Sequence, residues 1–358
     1  MTKIVKVILI IGIILTLIIL FLFFWKPFGS NPSAKQKEEY AKRTTNYYDG
    51  KFHPLTEFKL MSNKEKTDET SKETKPANGL PIQKLSKLEE ADENEWQLTW
   101  FGHSSVLLQF GGKKIFIDPV LSSCSSPFNG IGPGRMADVP MNIEDIPDID
   151  ILVLSHDHYD HMDYNTITKL DNRVKAYCVP LGVDNHLIRW GINPDKIHTF
   201  AWWEHNSIEG ISITSTPGQH FSGRFLWNRD STLWCGYVFK ANNQQIYYSG
   251  DTGYGDFFKD IYERLGPMDL AIMENGQYNK RWPYCHMTPE ESVQASMDVQ
   301  TKWVLPVHWG GFVLSTHAWY DPIERFTKAA KDDLQVLTPK IGETVNQNNA
   351  EKYQSIWW

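Results

Sequence analysis

Hydrophobic and polar positions along this chain fall into three regimes. The first is a block. Val7 to Trp25 (VILIIGIILTLIILFLFFW) runs 19 residues without a charge. As a helix rising about 1.5 Å per residue it spans roughly 28 Å, the depth of a bilayer core. Lys3 and Lys6 precede it, Trp25 and Lys26 close it, and no clear A-x-A site follows, so the pattern predicts an uncleaved transmembrane anchor over residues 1–29. The second regime, residues 30–95, is polar and charged and is expected to be a linker and N-terminal arm. Within it Asn63 to Gly79 (NKEKTDETSKETKPANG) mixes both signs with almost no apolar position and reads as a tether. RTTNYYDGKFHPLTEFKL, just before it, carries aromatics around a DG turn signal and has the material to pack on a neighbouring domain.

The third regime begins at Trp96. Short apolar or β-branched runs recur: QLTWFGHSSVLLQF, KIFID, IDILVLS, GISITSTP, WCGYVFKA, QIYYSG, MDLAIME and KWVLPVH. In the second half, helix-like stretches at 256–265, 289–299 and 322–331 separate some of them. Thr288-Pro289-Glu290-Glu291 is a helix start, with Thr288 as N-cap, Pro289 at the first position and Glu291 at the third. Hairpin-ordered strands followed by mixed strands and helices predict an α/β domain over 96–358, with sheets inside and helices outside.

Composition narrows this modestly. With 358 residues, 41% of them apolar, the chain can bury a sizeable core without staples. A net charge of −7 argues against a nucleic-acid partner held by a general basic surface. Cys124, Cys178, Cys235 and Cys285 lie far apart with no CxxC, and free buried thiols are expected.

Candidate chemistry concentrates in SHDHYDHMD, residues 155–163, directly after the apolar run IDILVL. Carboxylates repel one another and imidazoles gain nothing from proximity, so such a cluster calls for a cation. His156 and His158 share one side of an extended loop by the period of two, and Asp160 and His161 turn into the next element. Beyond them, His220 follows ISITSTPG, Asp251 follows IYYSG and His308 follows WVLPV. Each sits just past the carboxyl end of an expected strand, so all can converge on one rim. Imidazole and carboxylate without thiolate suit zinc, and also iron or manganese.

HDHYDH resembles the HxHxDH signature of the metallo-β-lactamase superfamily, whose later ligands His220, Asp251 and His308 match in order and context. The resemblance implies a four-layer αβ/βα sandwich with two metal ions at the sheet edges. Carried over by position, His156, His158 and His220 would bind the first ion, Asp160, His161 and His308 the second, with Asp251 bridging. It further implies metal-dependent hydrolysis. From Trp96 to Pro339, stretches such as TWFGHSSVLLQF, TPGQHFSGR, SGDTGYGD, HMTPEESVQ and PVHWGGFVLSTHAWYDP resemble the branch containing N-acylphosphatidylethanolamine-hydrolysing phospholipase D and its bacterial relatives. That branch implies a phosphodiesterase acting on N-acylphosphatidylethanolamine or a related phospholipid. A lactonase or other hydrolase of a small soluble substrate is the alternative, and a binding protein without turnover or an oxygen-reducing di-iron protein stand further off. His286, before MTPEE, matches a histidine at the phospholipase active site and is expected to bind substrate or move a proton.

Other positions remain open at this level. Asp118, ending KIFID, suits a carboxylate that fixes a ligand histidine's tautomer, or a turn residue before Pro119. His103 resembles a position near the metals but equally suits a buried structural role, and His317 either reaches the pocket rim or does not. Arg224 and Arg229 are read as exposed loop arginines, with phosphate contact the alternative. Trp227, Trp234, Trp282, Trp309 and Trp319 suit core packing singly and an apolar cleft as a set. The anchor predicts a single-pass membrane protein with its catalytic domain outside the cytoplasm.

Overall fold

The computed structural model describes residues 3–59 and 69–358, so the first part of the polar stretch from Asn63 lies outside the described residues. Helix α1 (Lys3–Phe24) buries none of its residues against the rest of the chain and is long and apolar enough to cross a membrane by length and composition. A 3₁₀ turn (Lys26–Phe28) leads to α2 (Ala34–Arg43), which begins with a Ser33/Gln36 capping box. The hairpin β1 (Tyr47–Tyr48) and β2 (Lys51–Phe52) turns at Asp49-Gly50, both at positive φ (50° and 76°), the geometry that a tight hairpin demands and DG supplies. Tyr40, Tyr47 and Phe52 pack against Leu181, Ala201, Leu233 and Trp234, and Arg43 reaches Glu204 at 2.5 Å. This arm is part of the folded body.

The sandwich itself contains β3 (Gln97–Trp100), β4 (Val106–Phe110), β5 (Lys113–Ile117), β6 (Ile149–Val153), α3 (Tyr164–Leu170), β7 (Val174–Pro180), α4 (Val183–Trp190), β8 (Ile197–Phe200), β9 (His205–Ile208) and β10 (Ile211–Thr216). It continues with β11 (Gly236–Ala241), β12 (Gln244–Tyr248), α5 (Phe257–Leu265), β13 (Leu270–Glu274), α6 (Pro289–Asp298), β14 (Trp303–Val307), α7 (Asp321–Ala330), β15 (Gln335–Val336) and β16 (Thr344–Asn346). Two seven-stranded sheets result, ordered β16-β3-β4-β5-β6-β7-β8 and β15-β14-β13-β12-β11-β10-β9. Each is antiparallel through its hairpins and becomes parallel from β5 to β8 and from β12 to β15, where α-helices carry every crossover except the long loop from β5 to β6.

Alternation along the strands decides the layers. The inward sides, among them Leu98, Val106, Leu108, Ile115, Ile151, Tyr237, Phe239, Tyr248, Ile272 and Leu305, form the core between the sheets. The outward side of the first sheet packs with Ile167, Leu170 and Leu187 of α3 and α4. That of the second packs with Phe258, Ile261, Val293 and Phe326 of α5, α6 and α7. This is the four-layer α/β sandwich expected. Parallel strands aligned between helices leave their carboxyl ends on one rim, and the loops after β5, β6, β10, β12, β13 and β14 gather there.

Candidate metal centre

The loop after β6 carries His156, His158, Asp160 and His161, and the loops after β10, β12 and β14 bring His220, Asp251 and His308 to it. His158 Nδ1 lies 2.9 Å from His156 Nε2 and 3.2 Å from His220 Nε2. Asp160 Oδ2 lies 3.3 Å from His308 Nε2 and 3.5 Å from His161 Nε2. Between the two trios stands one oxygen: Asp251 Oδ2 is 3.1 Å from both His161 Nε2 and His308 Nε2, 3.8 Å from His156 Nε2 and 3.9 Å from His220 Nε2. All seven predicted positions therefore meet at the sheet edge.

The ring orientations are fixed from behind. Asp118, fully buried at positive φ after β5, accepts from His161 Nδ1 (2.6 Å), from the Ser155 amide and hydroxyl, and from Tyr248. Because Ser155 Oγ gives its proton to Asp118, it accepts from His156 Nδ1 at 2.9 Å. His220 Nδ1 donates to the Cys285 carbonyl at 2.8 Å. Three imidazoles thus hold a proton on Nδ1 and present the Nε2 lone pair to the same space, as metal-ligating histidines do. Asp251 Oδ1 and His161 Nε2 are buried with no hydrogen-bond partner, a cost that a cation would remove. The donor set fits a metal.

Electrostatics divide the cluster. Burial, joined by neighbouring imidazoles, pushes His156 and His220 well below the ordinary histidine range, and burial lowers His158. For His161 and His308 burial acts in the same direction but is outweighed, chiefly by Asp251 with Asp160, so both are held well above it. Burial raises Asp160 and Asp251 less than the adjacent imidazoles lower them, and both stay well below the usual carboxylate range. One trio is a neutral nitrogen set; the other is built of imidazolium–carboxylate pairs, in which a bound cation would take the place of the Nε2 protons.

His103 sits in the β3–β4 loop at φ 53°, buried, with Nε2 2.9 Å from Asp160 Oδ2. It belongs to the cluster's edge, and burial drops it to about 3. His286 lies just before α6. Its ring stacks on His308 at 5.1 Å and meets His220 edge-on at 5.0 Å, while Nδ1 is 3.1 Å from Glu274 Oε1. It lines a cavity of about 710 Å³ together with Tyr278, Tyr284, His317 and Arg325. His317 is at that rim, though both ring nitrogens are engaged: the Gln277 amide donates to Nε2 and Nδ1 donates to the Ala318 carbonyl.

Sequence reasoning passed over Glu274. It ends the buried strand β13, is itself fully buried, accepts from the Met287 amide at 3.1 Å and braces His286. A carboxylate closing an otherwise apolar strand, MDLAIME, was the available signal. Arg224 is a correction. It is neither an exposed loop residue nor a phosphate contact, because only 4% of it is exposed and its guanidinium donates to the carbonyls of Pro27, Asp157 and Met162. It also stacks on Tyr159 and Trp190. Local pattern gave no hint that the chain before α2 would fold over it. Arg229 is exposed beside Phe221. Trp234 and Trp309 are core, whereas Trp227 is exposed. All four cysteines are free and buried.

A two-sheet sandwich with a histidine–aspartate cluster at the rim of its parallel strands defines a metal-dependent hydrolase scaffold. Residues 113–309 match the beta-lactamase superfamily domain. An uncharacterised protein from Mycobacterium bovis is 37% identical over 290 residues, covering 80% of this chain and 77% of its own. The N-acyl-phosphatidylethanolamine-hydrolyzing phospholipase D 1 of Caenorhabditis elegans is 34% identical over 300 residues, covering 77% and 84%. Among solved structures, a possible metal-dependent hydrolase from Veillonella parvula superposes with a TM-score of 0.56 at 20% identity, covering 70% of this chain and 99% of that one. The chain belongs to the beta-lactamase superfamily, and it is a metal-dependent hydrolase.

Proposed function

We propose that the protein is a membrane-anchored, two-metal phosphodiesterase of the phospholipase D type, acting on N-acylphosphatidylethanolamine or a related phospholipid. The observation that carries the two-metal reading is Asp251 Oδ2, one oxygen standing between two trios of ligand atoms. His156, His158 and His220 would hold one ion, Asp160, His161 and His308 the other, and Asp251 both; zinc suits the set, with iron or manganese next. Two ions so held would acidify a water and neutralise charge on the oxygens of a displacement at phosphorus.

The remaining residues supply position and protons. Asp118 and Ser155 lock the histidine tautomers from behind. Glu274 engages Nδ1 of His286, which leaves Nε2 for the substrate or a leaving oxygen. The relative from Caenorhabditis elegans supports the substrate class. Retention of α1 is supported by the chain just beyond it: Trp25, Lys26, Pro27 and Phe28 all bond to the catalytic domain, and Phe28 is buried there. Cleavage there would strip the domain of packed residues. Lys3 and Lys6 favour a cytoplasmic amino terminus and a catalytic domain on the opposite side.

The test is to offer full-length protein, loaded with zinc, vesicles containing N-acylphosphatidylethanolamine and, separately, soluble lactones. Release of phosphatidic acid and N-acylethanolamine from the vesicles is expected. Turnover of the lactones in preference to the lipid overturns the substrate assignment.

A further inference from the structure

Among the described residues, exposed large apolar side chains off α1 are few, and three of the most exposed lie on two loops beside its end: Leu226 (89% exposed), Ile131 (67%) and Trp227 (52%). Contacts tie one loop to that helix and both to the turn just past it. Phe128, three residues before Ile131, packs against Phe21 of α1 and against Trp25 and Phe28 just past it, at ring separations of 6.3, 5.8 and 5.9 Å. Trp25 Nε1 donates to the Pro127 carbonyl at 2.9 Å. On the other side Phe225 packs on Phe28 at 4.2 Å and on Trp227 at 4.3 Å, and the Asn228 amide reaches the Phe28 carbonyl. The C-terminal turn of α4 joins them: Arg189 donates to the Phe23 carbonyl, and Ile188 beside it is exposed.

We propose that these two loop tips are a bilayer-docking surface, seated in the interfacial layer of the leaflet where α1 ends; this rests on the reading that α1 spans a membrane. A helix leaving the hydrocarbon core at Phe24 fixes the depth of whatever touches its last turn, and Phe128 touches Phe21, one turn further in. Leu226, Ile131 and the exposed half of Trp227 then have apolar surface to enter that no described residue covers. Trp25 and Trp227 are the residue type that gathers at headgroup level, and Lys26 and Arg229, both exposed, place cations beside them for anionic lipid. A second copy of the chain would need a continuous complementary face; two separated tips around a helix suit a fluid layer better. The loop with Leu226 and Trp227 starts directly after His220, so docking would also bring the lipid phase to the chain segment that leaves the metal centre.

Site-directed spin labelling of the full chain in vesicles of phosphatidylcholine and phosphatidylglycerol tests this, since the four native cysteines are buried and free. Labels would be placed singly by Ile131→Cys, Leu226→Cys, Thr16→Cys within α1, and Glu263→Cys on the exposed face of α5. At 131 and 226, collision with an aqueous nickel chelate should fall several-fold relative to 263 while collision with oxygen rises, and 16 should lie deeper still. If 131 and 226 are as water-accessible as 263 while 16 is deep, docking is overturned and the anchor stands. If 16 is also in water, both fall. Spin–spin broadening at 131 or 226 at high lipid dilution assigns the face to a second copy and overturns the proposal.

Discussion

At Asp251 a single side chain serves both halves of the cluster, whereas His220 serves one, and substitution should separate them. Asp251→Ala is expected to lower bound metal further than His220→Ala, measured by elemental analysis after saturation with zinc and dialysis. His286 lies outside both trios, so His286→Ala should keep its metal yet lose about 10² to 10⁴ in turnover, as a proton-transfer residue does. Glu274→Gln keeps size but removes charge behind His286; it should retain metal and lose less activity than His286→Ala, read from single-turnover rates. The ligand histidines and aspartates were legible because their spacing after apolar runs is local. Glu274 and Ser155 were not, since their partners come from elsewhere in the chain and one sequence cannot say which way a buried polar side chain turns.

Among the elements, α6 shows how local chemistry carries a functional residue. The Thr288 side chain accepts from the Glu291 amide and Glu291 returns to Thr288, a complete capping box, and two residues earlier His286 leans on Glu274. Thr288→Ala should cost about 1 kcal/mol of stability, seen as a lower denaturation midpoint, with metal content unchanged. The hairpin at Asp49-Gly50 and the helix starting at Pro289 followed from short-range signals. The sheet order did not, because β16 closes beside β3 only through pairing some 245 residues apart in the chain, as at Thr99 and Thr344. Arg224 belongs here too: it joins the loop after β10, the ligand loop after β6 and the turn after α1. Arg224→Ala leaves three carbonyls without their donor, and a loss of about 3 kcal/mol is expected, measurable as a fall in the thermal midpoint of the full-length protein.

On the scale of the whole molecule, orientation is the outstanding quantity. For the proposed crossing by α1, positive charge at Lys3 and Lys6 favours one sense of insertion, yet Lys35, Lys37, Lys42 and Arg43 follow the helix at its other end; on the proposed orientation, protease treatment of intact cells should digest the catalytic domain without opening the membrane. The segment from Trp25 to Ser30 is bonded at Pro127, Trp190, Arg224, Asn228 and His186, and His186 in turn holds Asp157, between two of the clustered histidines. With α1 in a membrane, as proposed, a domain joined to it by such a stem would have no slack with which to sweep through bulk solution. On the proposed lipid substrate it would meet lipid by lateral diffusion at one height and one bearing, and the quantity governing its rate would be the mole fraction of substrate in the surface. Diluting reconstituted vesicles with buffer should leave turnover per enzyme unchanged, whereas diluting the substrate with inert lipid inside each vesicle should slow it.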